Sequence, residues 1–468
     1  MTTENLMPSP DWGIHYKGIS GLKGPLIFIN NIHNVAYNEL AEIHDGKGNV
    51  RLGRVLECGN SSAVLEVFGE TRGLSREDTA IRFRGSPLTI NASRDWLGRI
   101  FNGIGQPIDG GKAPGGSTNL NINGAAINPC MRAYPQEFIQ TGISSIDGLN
   151  TLVRGQKLPL FSCPGLPHDE LAAQITRQAT VVNDNEEFVI VFAAMGISHD
   201  TGNYFKTSFK ESGVLSNVVM LQNFADDPSV ERLVTPRTAL TIAEYLAYEQ
   251  DMHVLVILTD LTSYCEALRE VASAKGEIPS RKGYPGYLYS DLSSLYERAG
   301  RIKGRKGSIT QIPIISMPND DITHPIPDLT GFITEGQIVL GRKEFNDGMY
   351  PPINIFPSLS RLMKDGIGEG LTRDDHNPIV NQLYTFFARV REIEAISAVV
   401  GEDELSDLDR VYLIFGEHFK TRFLSQQNHE NRTIEETLNL AWDIASILPK
   451  SEFQRIDIKM LEKRYVQK

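Results

Sequence analysis

Four long apolar runs in the middle of the chain constrain its fold more than any other feature. They are EFVIVFAAM at 187–195, VVMLQNF at 218–224, HVLVILTD at 253–260 and SITQIPIISMP at 308–318. Runs that are apolar throughout are typical of strands buried on both faces of a parallel sheet. Helical patterns such as TPRTALTIAEYLAYEQ at 235–250 lie between them. This alternation of strand and helix predicts a doubly wound α/β domain.

The segments on either side of this region have other patterns. Residues 12–88 contain short β-rich runs separated by turns with glycine and asparagine, and this regular spacing predicts a small barrel or sandwich. Residues 89 to about 150 are rich in glycine and proline, and we assign 89–368 to the central domain. Residues 369–468 have helical periodicity without a convincing strand, which predicts a C-terminal helical domain.

The charge balance and the cysteines argue against several functions. The 468 residues carry 46 basic and 58 acidic side chains, a formal net charge of −12, which argues against a protein that coats nucleic acid. No apolar run approaches the roughly 20 residues that span a bilayer, and the N-terminus MTTENLMPSPDWG has no signal-peptide core. The four cysteines are far apart without metal-ligand spacing, so we expect no metal site and a reducing compartment.

The stretch FSCPGLPHDELAAQI at 161–175 lies where a nucleotide-binding enzyme carries its phosphate loop. An active loop has the pattern G-x-x-x-x-G-K-[ST], in which backbone N–H groups and a lysine bind phosphate and a hydroxyl holds Mg²⁺. Here Ser162 and Pro167 replace the two glycines, and His168 and Asp169 replace the lysine and the hydroxyl. Compared with an active loop, this stretch lacks hydrogen-bond donors and a full positive charge and gains a negative charge. Gly165 remains inside the loop.

Taken alone, these residues favour an ordinary strand-to-helix turn over a former phosphate loop. Proline fits the first turn of a helix, where its missing N–H has no partner anyway, and Asp169 and Glu170 complement the positive end of the helix dipole. Asp260, at the end of HVLVILTD, is placed like the aspartate that coordinates Mg²⁺ in active enzymes. Many buried strands end in aspartate, however, so both interpretations stay open at this point.

Longer motifs closely resemble the B subunit of the V-type and A-type rotary ATPases. They are PQEFIQTGISSIDGLNTLVRGQKLPLFS at 135–162, GLPHDELAAQI at 165–175, GYPGYLYSDLSSLYERAGR at 283–301, HPIPDLTGFITEGQIVL at 324–340 and PSLSRL at 357–362. The likeness runs from about residue 15 to the C-terminus. It implies an α/β chain with an N-terminal β-barrel, a central P-loop-like nucleotide-binding domain and a C-terminal helical bundle.

The resemblance also implies partners. B subunits of this family alternate with catalytic A subunits in a hexameric ring, with Mg-ATP or ADP at the A/B interfaces and no nucleotide bound by the B chain alone. The ring contacts central stalk subunits, a peripheral stalk at the N-terminal barrel and, indirectly, a membrane rotor that moves H⁺ or Na⁺. We therefore expect a peripheral position on the cytoplasmic side of a membrane, in the soluble head of an ATPase, and no nucleic-acid partner.

The resemblance further implies that this chain is not catalytic by itself. Catalytic relatives carry a glutamate after the strand that follows the phosphate-loop helix, where it polarises the attacking water, and Ile197 occupies the matching position. Isoleucine cannot act as a base. With His168 and Asp169 in the loop, three catalytic parts are missing. Gly165, His168, Asp169 and Asp260 then form a degenerate nucleotide site.

Arg361, in PSLSRL, is the strongest candidate for a residue that acts in catalysis. In the family this arginine reaches across the interface to the γ-phosphate bound on the neighbouring A subunit, as an arginine finger in trans. A planar, always-charged guanidinium suits the charge that spreads over a transferring phosphoryl group. Ser358 and Ser360 flank it and could orient the loop. The residues alone favour a different interpretation, in which Arg361 is a surface arginine or pairs with a nearby carboxylate, and the finger role depends on the resemblance.

The acidic stretch GEDELSDLD at 401–409 resembles the loop of rotary ATPases that approaches the central stalk. Its acidic residues, which we predict to face basic stalk residues, are Glu402, Asp403, Glu404, Asp407 and Asp409. The alternative is a solvated loop whose last acids begin a helix.

A different class of function also remains open. The chain could be a self-sufficient P-loop ATPase with an aberrant phosphate loop, although the missing lysine, the missing hydroxyl and Ile197 argue against it.

Overall fold

The computed structural model describes residues 15–181 and 187–466. Residues 12–14, where we placed the start of the N-terminal domain, lie outside these ranges. Within them, no helix is both long and apolar enough to cross a bilayer. The described residues form a β-domain, a mixed α/β domain and a helical domain in chain order.

The N-terminal part is a sheet of seven antiparallel strands in the order β1-β7-β4-β5-β6-β3-β2. The strands are β1 (His15–Lys17), β2 (Gly21–Lys23), β3 (Leu26–Asn30), β4 (Glu39–His44), β5 (Val50–Cys58), β6 (Ser62–Phe68) and β7 (Ala80–Pro87). Alternate residues of these strands, among them Ile27, Ile43 and Leu65, are fully buried in a separate small core. This domain matches the predicted β-barrel architecture.

The central domain is built on a ten-stranded sheet whose main path is β22-β21-β14-β20-β18-β16-β17-β9. The strands of this domain are β8 (Thr89–Ala92), β9 (Ile100–Asn102), β10 (Thr118–Asn121), β11 (Arg132–Ala133), β12 (Phe138–Gln140), β13 (Leu152–Val153), β14 (Leu160–Ser162), β15 (Thr180–Val181), β16 (Phe188–Ile197), β17 (Val218–Phe224), β18 (His253–Thr259), β19 (Gly300–Ile302), β20 (Ser308–Ser316), β21 (Gly336–Leu340) and β22 (Ile353–Ser360).

Strand direction divides this sheet into two kinds of pairing. From β21 to β9, every neighbouring pair on the main path is parallel. β22 pairs with β21 in the antiparallel sense. The four apolar runs became β16, β17, β18 and β20, as predicted, because both faces of each strand are covered and an apolar side chain is favoured at every position.

Helices cover both faces of the central sheet and make up the C-terminal domain. They are α1 (Ser144–Asp147), α2 (His168–Gln178), α3 (His199–Glu211), α4 (Ser229–Tyr248), α5 (Leu261–Lys275), α6 (Leu288–Tyr296), α7 (Pro325–Ile333), α8 (Arg342–Asn346), α9 (Met363–Gly366), α10 (His376–Val400), α11 (Asp407–His418), α12 (Ile434–Ala445) and α13 (Ile458–Arg464). A π-helical turn, Phe419–Leu424, extends α11.

Helix α4 differs from its prediction at the N-terminal end. The helical pattern identified in the sequence begins at 235, but the helix begins at Ser229 and Pro236 lies in its interior. The hydroxyl of Thr235, beside the proline, donates a hydrogen bond to the Glu231 carbonyl (2.9 Å). Most of α4 is buried against the sheet, so packing outweighs the local preference.

A buried ion pair joins α4 to the end of α6. Arg298 is fully buried, and its guanidinium donates to both carboxylate oxygens of Glu244 at 2.6 and 2.7 Å. It also donates to the Ile122 carbonyl (2.9 Å) and to the Thr241 hydroxyl (2.7 Å). Removing one partner of such a pair leaves an uncompensated charge in a low-dielectric interior.

Replacing Glu244 with glutamine should therefore destabilise the chain by about 3 kcal/mol. Glu249→Gln is the matched control, because Glu249 lies at the end of the same helix and pairs with Arg305 at 3.6 Å with both side chains about half exposed. The control should change stability by less than about 1 kcal/mol. Urea-unfolding midpoints of the two variants measure this, and equal shifts would contradict the interpretation.

Candidate functional site

The degenerate phosphate loop lies at the carboxyl edge of the parallel sheet. β14 ends at Ser162, residues 163–167 form the loop, and α2 begins at His168. β16 ends at Ile197 and β18 at Thr259, so Ile197 and Asp260 emerge at the same edge. The carboxyl edge of an open α/β sheet is where such proteins bind ligands. The fold therefore brings four predicted site residues, Gly165, His168, Asp169 and Asp260, to one edge.

The His168 side chain and backbone make hydrogen-bond contacts within the loop. The Nδ1 atom of His168 lies 3.1 Å from the Ser162 hydroxyl and 3.0 Å from the Leu166 carbonyl oxygen. The His168 backbone N–H donates to the same carbonyl at 2.8 Å. The imidazole is thus turned back onto its own loop. Gly165 supplies the positive φ of +81° that this tight turn requires.

Negative charge surrounds the beginning of α2. Asp169 and Glu170 lie in the first turn, and Pro167 precedes it without an N–H to donate. Burial raises the pKa of Asp169 above its usual range, and the charges of Glu170 and Asp260 add to this effect, while His168 opposes it. Three carboxyl groups therefore lie near the N–H groups that would have to face phosphate. This loop does not fit a Mg-triphosphate held in the manner of an active phosphate loop.

Sequence reasoning missed an ion pair that covers the loop. Arg342, at the start of α8, donates to both carboxylate oxygens of Asp320 at 2.5 and 2.9 Å and to the Pro164 carbonyl at 3.0 Å. The Arg342 guanidinium is the first cause of the lowered pKa of Asp320. The sequence held one indication of this contact. Arg342 closely follows β21, which pairs in parallel with β14, the strand that precedes the loop. A residue that follows β21 therefore lies at the same edge of the sheet as the loop.

Asp260 serves as a structural cap. One carboxylate oxygen accepts hydrogen bonds from the backbone N–H groups of Thr262, at 2.8 Å, and Ser316, at 3.2 Å. The first bond caps α5 and the second ties the end of β18 to the end of β20. One of the two carboxylate oxygens is thus used by backbone donors. In the described ranges, no cluster of His, Cys, Asp and Glu is arranged to hold a metal ion.

Arg361 lies at the opposite edge of the sheet from the loop. β22 runs against β21, so its last residue, Ser360, pairs with the first residue of β21, Gly336. Arg361 is level with Glu335, whose carbonyl accepts the Arg361 N–H at 3.0 Å. The register of β14 with β21 places the beginning of the loop level with Gly341, six residues after Glu335. At ~3.3 Å per residue, Arg361 lies about 20 Å from the loop along the strand direction. Arg361 cannot serve the loop of its own chain.

The side chain of Arg361 is exposed and has a single internal contact. Its guanidinium donates a long bond, 3.5 Å, to the Thr334 carbonyl. Among residues 15–181 and 187–466, no carboxylate lies within ion-pair distance of it. Ser358 and Ser360 beside it are buried: the Ser358 hydroxyl donates to Asn354 (2.6 Å) and that of Ser360 to Thr151 (2.8 Å), both at carbonyl oxygens. Both serines fix the strand and do not contact the guanidinium.

The acidic stretch lies between α10 and α11, far along the chain from the loop. Glu402, Asp403 and Glu404 form one helical turn, and Asp403, Glu404 and Asp407 are exposed. Asp409 instead bonds to the Ser406 hydroxyl (2.7 Å) and lies 3.4 Å from Arg389. The bond from Ser406 is the first cause of its lowered pKa, and Arg389 adds to it. One of the five predicted stalk-facing residues is therefore used to begin α11.

Three family models match consecutive parts of the chain. The nucleotide-binding domain of the ATP synthase alpha/beta family matches residues 142–360. The β-barrel domain of the same family matches 19–85, and the C-terminal domain of V and A type ATP synthase matches 365–465. Together with the loop at the carboxyl edge, they define the class: a three-domain subunit of the ATP synthase alpha/beta type.

Individual relatives narrow this class. The chain is 59% identical over 450 residues to the V-type ATP synthase beta chain of Halothermothrix orenii, covering 96% of this chain and 97% of that protein. It is 58% identical over 448 residues to the B subunit of the A-type ATP synthase of Aeropyrum pernix, with the same coverage of both. A solved ATP synthase subunit, NeqB from Nanoarcheaum equitans, is 39% identical with a TM-score of 0.72, covering 90% of this chain and 98% of that one. The chain belongs to the V-type and A-type ATP synthase B-subunit family, as its motifs predicted.

Replacing Asp260 with asparagine should leave stability nearly unchanged, because an amide oxygen can accept both backbone bonds. Alanine at this position should cost about 1–2 kcal/mol, the loss of a helix cap. Urea-unfolding midpoints measure both variants. If asparagine abolished ATP turnover of the assembled complex while stability stayed constant, Asp260 would have a role beyond capping.

Proposed function

We propose that this chain is the non-catalytic, regulatory subunit of a ring in which it alternates with catalytic A subunits, and that it supplies Arg361 in trans as an arginine finger. The observation that carries the proposal is the position of Arg361. Its side chain is exposed, has no carboxylate partner in the described part of the chain, and lies at the sheet edge opposite its own loop. This placement supports the proposal, because an exposed cation without a carboxylate partner in its own chain is free to contact a neighbouring subunit.

The residues that replace the catalytic groups in and near the loop support the same proposal. The lysine and hydroxyl positions hold His168 and Asp169, and the position of the water-polarising glutamate holds Ile197, which is buried at the end of β16. Isoleucine has no group that could accept a proton. The chain therefore lacks the parts needed to hydrolyse ATP alone, and we place Mg-ATP or ADP at the interface with the A subunit, held chiefly by that subunit.

The chemistry suits an arginine. Phosphoryl transfer spreads negative charge over the equatorial oxygens, and a guanidinium aimed at them stabilises the transition state. Such a finger is worth roughly 10³ to 10⁵ in rate.

The remaining partners follow from membership of the family. We propose that the exposed acids at 403, 404 and 407 face basic residues of the central stalk, and that the N-terminal barrel contacts the peripheral stalk. The ring would then be coupled to a membrane rotor that moves H⁺ or Na⁺, with this chain in a peripheral head on the cytoplasmic side. These contacts are protein contacts, and the net charge of −12 gives no reason to expect nucleic acid.

Replacing Arg361 with alanine should leave assembly with the A subunit intact and lower ATP turnover of the complex by roughly 10³-fold or more. Arg76→Ala, which removes an exposed arginine from the N-terminal domain, is the control and should keep full turnover. Steady-state phosphate release from purified complexes measures both. Wild-type turnover in the Arg361 variant would remove the finger role.

Replacing His168 with lysine distinguishes this proposal from a self-sufficient ATPase with an aberrant loop. Because the loop is not catalytic in the proposal, this variant should change turnover of the complex by less than about threefold, and the isolated chain should have negligible activity. Turnover by the isolated chain at a rate near that of the complex would favour the alternative. A large loss from His168→Lys alone would also contradict the proposal.

A further inference from the structure

A buried glutamine contacts both the residue before Arg361 and the residue on the neighbouring strand whose carbonyl binds the Arg361 backbone. The Gln156 side chain is fully buried. Its amide nitrogen donates to the Glu335 carbonyl at 3.1 Å, which also accepts the Arg361 N–H at 3.0 Å, and to the Ser360 hydroxyl at 3.0 Å. Its amide oxygen accepts the Val153 N–H at 2.9 Å. One side chain therefore bridges the residue before Arg361 and the carbonyl that holds Arg361.

The next residue, Lys157, fixes Glu335 a second time. Its ammonium group lies 2.9 Å from one carboxylate oxygen of Glu335 and 3.0 Å from Glu297. Its backbone N–H donates to the other oxygen of Glu335 at 2.8 Å, and its carbonyl accepts the Glu335 N–H at 3.1 Å. Glu335 is thus held through its side chain and its backbone by one neighbour.

The burial of Lys157 needs a reason other than stability. The residue is 3% exposed, and lysine is rarely buried because its charge must leave water. Replacing a buried ion pair with apolar residues of similar volume is often neutral or stabilising. What an apolar residue cannot supply is a directed contact to Glu335, the residue whose carbonyl holds Arg361.

We propose that Gln156 and Lys157 are positioning residues that fix the backbone of Arg361 and therefore the point from which its side chain extends. The inference rests on the proposed function of Arg361. Because the guanidinium has only the 3.5 Å bond to the Thr334 carbonyl within its own chain, its reach into a neighbour depends on the position of its own backbone. A displacement of about 1 Å at a reacting centre can lower a rate by roughly 10²-fold.

The test uses Lys157→Met and Gln156→Leu in the complex with the catalytic A subunit. Each should lower kcat by about tenfold or more and change the KM for ATP by less than about twofold, because the partner holds most of the nucleotide. The matched control is Arg54→Met, which removes a buried ion pair with Glu66 (2.7 Å) in the N-terminal domain. The control should keep kcat. Normal kcat in both test variants would overturn the inference.

A double-mutant cycle separates positioning from a general structural effect. In an Arg361→Ala background, measured by single-turnover phosphate release, Lys157→Met and Gln156→Leu should lower the rate by less than about twofold further, since they act through the removed side chain. A loss that persists at full size in this background overturns the inference. If Arg361→Ala alone leaves turnover unchanged, the proposed function fails instead, so the two failures differ.

Assembly is checked by size-exclusion chromatography of every complex. Glu335 and Glu297 keep about a third of their side-chain area exposed, 30% and 35%, so water can hydrate them when Lys157 is replaced. Should Lys157→Met still fail to assemble, Glu335→Gln takes its place, because it weakens the ion pair and keeps the backbone carbonyl that holds Arg361. The same loss of kcat is expected from it, and an unchanged kcat again overturns the inference.

Discussion

The antiparallel pairing of β22 with β21 is the constraint on which the rest of the structure depends. The other strands on the main path of the central sheet run in parallel, so their carboxyl ends, and the loop after Ser162, meet at one edge. β22 runs the other way and delivers Arg361 to the far edge. No side-chain movement could bring the guanidinium back across about 20 Å of sheet. The backbone direction thus separates Arg361 from the loop of its own chain.

The loop at the other edge is held by hydrogen bonds within its own chain. His168 turns to Ser162 and Leu166, and Arg342 donates to Pro164. One carboxylate oxygen of Asp260 accepts hydrogen bonds from two backbone N–H groups. Unsatisfied buried polar groups are costly, and these internal bonds provide partners that a ligand would otherwise supply. The result is a turn that is held by hydrogen bonds within its own chain.

The sequence predicted four strands of the central sheet correctly, because a strand that is buried on both faces is apolar along its whole length. The helical pattern at 235–250 misses the first turns of α4, which begins at Ser229. Proline is disfavoured inside a helix, and burial of α4 against the sheet outweighs this preference at Pro236. Sequence reasoning could have found the cap at Asp260, since aspartate before a helix is a frequent N-cap. The contact of Arg342 with the loop and that of Lys157 with Glu335 join residues 178 positions apart, and no local pattern reports such pairs. Arg361 was found through family resemblance, whereas its exposure and its sheet edge required coordinates.

The most direct measurement is a cryo-EM structure of this chain assembled with its catalytic partner and trapped with a transition-state analogue of the terminal phosphate. The account predicts the Arg361 guanidinium within about 3 Å of that phosphate analogue on the neighbouring protein, with the loop at 163–167 free of a Mg-bound triphosphate. A guanidinium remote from every interface with a neighbouring chain would contradict it. So would a Mg-triphosphate held by this chain alone in a reactive geometry.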